Sequence, residues 1–209
     1  MKDWSGTTAP TVAFGQGYSV TAMQATSVFA TLANDGVRVT PTVVAGMSDA
    51  AGRYTPANKQ KSVRVISSGT AQQMRLMMES VVSASGTAPA AAISGYRVAG
   101  KTGTAQRVDD SCGCYRGYTA SFIGFAPADK PEFVVSVTIQ DPKGFHWGGY
   151  LGGPVFKKVM SFVLKDQHIP PTKPAEFMYV LNEKQLKARR ALEAAEKKNQ
   201  GQTRVQSND

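Results

Sequence analysis

The chain has 209 residues, with 24 Lys+Arg against 15 Asp+Glu for a formal net charge of +9, and 42% of its residues are apolar. That length suits one domain or one and a half with a real core, and the composition excludes collagen, a long coiled coil and wholesale disorder. No apolar run approaches the roughly 18 residues that cross a bilayer, and Met1-Lys2-Asp3-Trp4 does not open a signal peptide.

In chain order, the first clear element follows the turn Gly15-Gln16-Gly17. Thr21 and Gln24 form a T-x-x-Q capping box, in which each side chain satisfies the other's free backbone N–H. A helix is predicted from about Thr21 to Asn34, with Ala22, Ala25, Phe29 and Leu32 on one face and Gly36 placed to end it. Val37 to Val44 reads as an extended segment interrupted by Pro41. Gly46 to Lys61, with Gly52 and Pro56, reads as a loop or small hairpin.

Ser67-Ser68 signals a second helix, whose apolar stripe Met74, Met77, Met78, Val81 and Val82 has core spacing rather than that of an adaptable Met-rich face. Ser85 to Ser94, rich in small residues, is a loop packed closely against something. Three strand-like runs follow: Tyr96 to Arg107, Tyr118 to Phe125, and Phe133 to Gln140. The third puts Phe133, Val135, Val137 and Ile139 on one side. Their short connections predict an antiparallel meander, because parallel pairing needs a crossover of about a dozen residues or more. The last helix is expected to begin at Pro154, run to about Lys165 and bury Phe156, Val159, Met160 and Val163. Gly148 to Gly153 lacks the spacing of a phosphate cradle and reads as a hinge before it.

The tail from Lys173 carries eight basic residues against five acids, and the body sixteen against ten, so no block of like charge stands out. This favours a solvated basic surface, facing an anionic membrane or polymer, over nucleic-acid binding. Asn182 to Lys198 is rich in Glu, Lys, Ala and Arg but poor in apolar residues, a helix-prone extension expected to fray. The coarse architecture is α+β, an antiparallel sheet flanked by helices.

Chemistry concentrates in Tyr96-Arg97-Val98-Ala99-Gly100-Lys101-Thr102-Gly103-Thr104-Ala105-Gln106. Lys101, Thr102 and Thr104 put a cation and two hydroxyls on one short stretch of strand, and Gly100 and Gly103 let a ligand approach the backbone. A carboxylate can be held by the ammonium and hydroxyls while a peptide pairs with the strand edge. K-T-G alone is a weak signal. Around it stand GQGYSVTAMQ, NDGVRVTP, ASFIGFAPAD, PEFVVSVTIQDP and GGPVFKKVMSF. In that order and spacing, they resemble the C-terminal half of the transpeptidase domain of class B penicillin-binding proteins. The likeness runs from about Trp4 to Pro171, and CGCYRGYTASFIGFAPAD looks most like the actinobacterial branch.

The resemblance implies an incomplete penicillin-binding, serine β-lactamase-like fold over residues 1–171, with residues 172–209 as a basic tail. It implies a serine-type D,D-transpeptidase that cross-links peptidoglycan stem peptides and is acylated by β-lactams, without a cofactor. Lys101 and Thr104 would then be catalytic, Lys101 organising proton transfer and the Thr104 N–H helping to form an oxyanion hole. Thr102, Gly103 and Thr104 would bind substrate. It also implies the extracytoplasmic face of the cell membrane, reached through an N-terminal part not seen here, and division or cell-wall synthesis proteins as partners. A β-lactamase is disfavoured because no deacylating glutamate segment is recognisable.

No serine in the chain has a lysine three positions later, and no S-x-N triplet occurs. The nucleophile and second motif of the family are therefore absent from these residues, which are not expected to acylate by themselves; a non-catalytic cell-envelope interaction fragment is the rival reading. Cys112 and Cys114 flank one glycine, and either a small-ring disulfide or two loop thiols fits; the implied oxidising compartment allows the former. Two Cys and two His make a closed zinc site a poor fit. His146 is read as a loop residue.

Overall fold

The computed structural model describes residues 5–172. The chain divides into the units Met1–Ala175 and Glu176–Asp209, and all described residues lie in the first. The helix expected over Asn182 to Lys198 falls outside the described residues.

A short helix, α1 (Thr8–Ala13), comes first; it buries no side chain and has no side-chain cap, so no sequence pattern announced it. The capping box then forms as predicted ahead of α2 (Ala22–Ala33): Gln24 N–H donates to Thr21 Oγ1 at 3.1 Å, and Thr21 N–H to Gln24 Oε1 at 2.8 Å. Asp35 and Gly36 take positive φ to turn the chain out of α2, and a Cβ on Gly36 would collide with the Ile66 carbonyl. Only glycine meets both demands without strain.

The next segment is a two-stranded arm. Strands β1 (Val37–Val39) and β4 (Ser62–Arg64) pair at its base, and β2 (Gly46–Ser48) and β3 (Tyr54–Pro56) pair further out, both antiparallel. The extended segment expected over Val37 to Val44 is a strand only over Val37–Val39, and the small hairpin is present. The helix α3 (Ser68–Glu79) starts at Ser67, whose hydroxyl accepts from Thr70 N–H. Two 3-10 turns, Ser80–Val82 and Pro89–Ala91, lead to the main sheet.

That sheet is the expected meander, order β5-β6-β7, with β5 (Ala99–Asp109), β6 (Cys114–Ala126) and β7 (Phe133–Gln140) all antiparallel. β6 pairs with β7 only from Thr119 onward, so the β5–β6 hairpin continues past the sheet as a two-stranded ribbon. The last helix, α4 (Gly148–Asp166), starts six residues before the predicted Pro154. The glycines read as a hinge are instead its first turns, and Pro154 lies inside it. The reason is packing: a Cβ on Gly152 would come within 2.8 Å of the Phe122 Cβ, so the glycines let the helix lie directly on β6.

The sheet has a core on each face. Phe122 and Ala126 of β6 pack with Phe156, Met160 and Leu164 of α4, the Phe122 and Phe156 rings meeting edge to face at 4.9 Å. Phe125 and Ala99 pack on the opposite face with Met78 of α3 and with Phe29 and Leu32 of α2. Because alternate residues of β6 serve different helices, Phe122 to Ala128 is buried without interruption. Two predicted stripe residues face solvent instead, Met77 and Val159, both 42% exposed. Leu164 takes the inward position one residue beyond the predicted Val163, in phase with Phe156 and Met160.

One buried ion pair ties these layers together. Glu79, at the end of α3 and 2% exposed, receives two hydrogen bonds from the Arg97 guanidinium, at 2.7 and 3.0 Å. The carboxylate raises the Arg97 pKa above its ordinary value. Arg97 lies two residues before β5, so the pair anchors the strand that carries Lys101.

Candidate functional site

Among the described residues β5 has a strand neighbour on one side only. Its other edge forms a wall of a cleft of about 540 Å³, to which Lys101, Thr102, Gly103 and Thr104 all contribute. All four residues predicted from K-T-G-T are therefore brought together at one opening.

The register explains how consecutive residues share this site. Thr102 pairs with Phe122 and Thr104 with Ala120, so both hydroxyls lie on the α4 face of the sheet, and Lys101 and Gly103 alternate to the other face. The Lys101 ammonium curls back along the strand, donating to Thr102 O at 2.9 Å and to Thr102 Oγ1 at 3.4 Å. No carboxylate pairs with it among the described residues. Thr102 Oγ1 lies 3.2 Å from Thr87 Oγ1 in a hydroxyl pair. Thr104 Oγ1 accepts the Gly148 N–H at 3.1 Å, joining the strand to the first turn of α4. A Cβ on Gly103 would meet Ser121 Oγ, so a larger residue there would force that hydroxyl to turn away.

The cleft also includes residues that sequence reasoning missed. Thr87 came from a small-residue loop read only as close-packed; its partner Thr102 is fifteen positions away, and no local pattern links them. Phe14 and Tyr18, just after α1, contribute an apolar part of the wall, and Trp147, Gly148 and Gly149 contribute the α4 end. A cation, three hydroxyls and an open strand edge beside apolar side chains suit a peptide that ends in a carboxylate.

The secondary candidates fall outside the cleft lining. Cys112 and Cys114 are joined in a disulfide at the tip of the β5–β6 ribbon. His146 lies in the loop before α4, its ring stacked on Tyr118 at 4.0 Å between centroids and beside Trp147 at 5.3 Å. Near the ribbon tip, the Ser111 hydroxyl and N–H hold the Asp109 carboxylate below its ordinary pKa. Lys143 does the same for Asp141.

Residues 2–161 match the family model described as the penicillin binding protein transpeptidase domain. The penicillin-binding protein PbpB of Mycolicibacterium smegmatis is 38% identical over 180 residues, which is 81% of this chain and 28% of that protein. The stage V sporulation protein D of Bacillus subtilis is 41% identical over 167 residues, covering 78% of this chain and 26% of that one. The chain thus spans about a quarter of the length of these curated relatives. Among solved structures, penicillin-binding protein 3 of Mycobacterium tuberculosis complexed with ampicillin superposes with a TM-score of 0.75 at 35% identity, over 82% of this chain and 40% of that chain. Its aztreonam complex is 34% identical, with the same TM-score, over 86% of this chain and 42% of the other. The mycobacterial relatives fit the actinobacterial likeness of the ribbon sequence, and the helix-flanked antiparallel sheet is the fold of those structures. With three quarters of its length matched by the family model and a cleft built on Lys101-Thr102-Gly103-Thr104, the chain belongs to the penicillin-binding protein transpeptidase domain family.

Proposed function

We propose that this chain supplies the carboxylate-binding half of a serine D,D-transpeptidase, an enzyme that joins peptidoglycan stem peptides and is acylated by β-lactams. The observation that carries this reading is the exposed β5 edge, where the Lys101 ammonium and the Thr102 and Thr104 hydroxyls meet in one open cleft. Thr102 and Thr104 hold the terminal carboxylate of the donor peptide. Lys101 places positive charge beside it and takes part in the proton-transfer network around the serine. The Thr104 N–H contributes one oxyanion-hole donor, a role in which placement matters more than side-chain identity. Gly103 keeps the strand open to the substrate backbone.

The serine, its lysine and the S-x-N residues come from outside these 209 residues, since the sequence has neither motif. The enzyme works at the outer face of the cell membrane among wall-synthesis and division proteins, and residues 172–209 are its basic tail. Ampicillin and aztreonam in the two mycobacterial structures support a β-lactam as the probe. Labelling with a fluorescent penicillin tests the proposal. The enzyme that combines this segment with S-x-x-K and S-x-N should form a covalent adduct, and the 209-residue chain alone should form none. Full labelling of the complete enzyme after Lys101→Ala would remove the cleft from the mechanism.

A further inference from the structure

The arm between α2 and α3 is unlike the rest of the fold. The outer pair β2–β3 packs against no other described helix or strand. An isolated two-stranded hairpin is marginally stable in water, yet this one displays apolar side chains: Val43 is 96% exposed, Met47 75% and Tyr54 58%.

The two edges of the outer pair differ. Backbone bonds from Ala57 N–H to Ala45 O and from Asp49 N–H to Arg53 O fix Ala45–Ala57 and Asp49–Arg53 as bonded pairs, and the register places Met47–Thr55 between them. Residues between bonded pairs point their N–H and C=O groups outward. On β3 that position includes Pro56, which has no N–H to offer, so this edge is blunted. On β2 the outward residues are Gly46 and Ser48, within the uncharged run Thr42-Val43-Val44-Ala45-Gly46-Met47-Ser48. Nothing on that edge discourages a further strand.

The charges of the arm as a whole have one prevailing sign. Residues 37–64 contain five basic residues and one acid. Asp49 is taken by Arg53 at 2.8 Å, and Arg64 donates to the Asp35 and Ile66 carbonyls. Arg38, Lys59 and Lys61 have no carboxylate partner among the described residues.

We propose that the β2 edge, Val43 to Ser48, is a docking site for an extended, acidic segment of a partner protein, which adds to the arm as a third strand. Main-chain bonds to Gly46 and Ser48 hold the segment, Val43 and Met47 bury its alternate apolar residues, and Arg38, Lys59 and Lys61 pair with its carboxylates. This site lies apart from the cleft and does not depend on acyl transfer.

Ser48→Pro gives a direct test. The Ser48 N–H plays no part in the hairpin, so proline leaves the arm paired but removes the donor that an added strand needs. The probe is a fluorescein-labelled alternating peptide, (Val-Glu)5, mixed with the full chain, with (Val-Lys)5 as its charge-reversed control. Binding of the acidic peptide that weakens with salt, falls at least tenfold in Ser48→Pro and falls similarly in Lys59→Glu/Lys61→Glu supports the proposal. Circular dichroism and a thermal melt matching the parent establish that each variant is folded. Equal binding of (Val-Lys)5, or unchanged binding by folded Ser48→Pro, overturns it. So does self-association of the chain that Ser48→Pro abolishes while (Val-Glu)5 fails to bind, or binding to phosphatidylglycerol vesicles in place of the peptide.

Discussion

Thr104 Oγ1 accepts the N–H of Gly148 at 3.1 Å, so the cleft strand and the first turn of α4 are directly bonded across forty-four residues. Replacing Thr104 with valine keeps the shape and removes the acceptor. Leaving a partly buried N–H unpaired costs about 1–3 kcal/mol. Thr104→Val should therefore lower thermal stability and slow penicillin acylation of the complete enzyme, and Thr104→Ser should restore much of both. Melting curves and acylation rates for the two variants check this.

Lys101→Ala and Thr102→Val should each cut acylation of the complete enzyme by roughly ten- to a hundredfold, the scale expected when a ligand carboxylate loses a charge-assisted hydrogen bond of about 1.5–3 kcal/mol. Both side chains lie on an accessible edge and neither fills a core, so the melting temperature should shift little. Stopped-flow acylation rates alongside a melt separate these effects.

Gly149 sits where a Cβ would collide with the Thr87 carbonyl and come within 2.9 Å of Thr102 Cγ2. Gly149→Ala should raise helix propensity locally yet destabilise the fold by about 1–3 kcal/mol through overpacking. It should also displace Thr102, the hydroxyl paired with Thr87. A higher melting temperature in Gly149→Ala would contradict this packing.

Glu79→Gln leaves the half-buried Arg97 guanidinium without its charge partner. Because the remaining guanidinium is partly solvated, removing its partner costs about 1–3 kcal/mol. Replacing both, as Glu79→Met/Arg97→Met, should be far milder. Urea denaturation of the single and double variants measures the difference.

The Asp109 carboxyl has its pKa lowered by the Ser111 hydroxyl, then by the Ser111 N–H. A lowered folded-state value means that the hydrogen-bonded turn is fully stabilised above the ordinary aspartate range. That stabilisation is lost as pH falls through the lowered value. Carbon-13 NMR of the Asp109 carboxyl should give a midpoint below that of a free aspartate, and Ser111→Ala should move it upward.

Local chemistry made some elements readable in advance. The Thr21–Gln24 box, the Ser67 cap and the alternating β7 each declare themselves within a few residues, and each forms as expected. Lys101 to Thr104 were readable because the strand bearing the cation and hydroxyls is continuous. What stayed hidden depends on distance along the chain. The glycines from Gly148 to Gly153 weaken a helix taken alone, and only contact with Phe122, Gly103 and Thr87 makes them necessary. Thr87 and the Glu79–Arg97 pair likewise acquire their roles from partners fifteen and eighteen positions away. α1 buries nothing, so no hydrophobic period could mark it.

The small residues at the start of α4 have an electrostatic consequence as well as a steric one. By letting the helix lie close on the sheet with its first turn beside β5, they bring its amino pole, equivalent to about half a positive elementary charge, to the cleft that Lys101 also lines. The groove thus has two sources of attraction for an anion, one a side-chain ammonium, the other a helix end fixed in the backbone. Neutralising the lysine should weaken capture of an acidic ligand without turning the groove indifferent to charge.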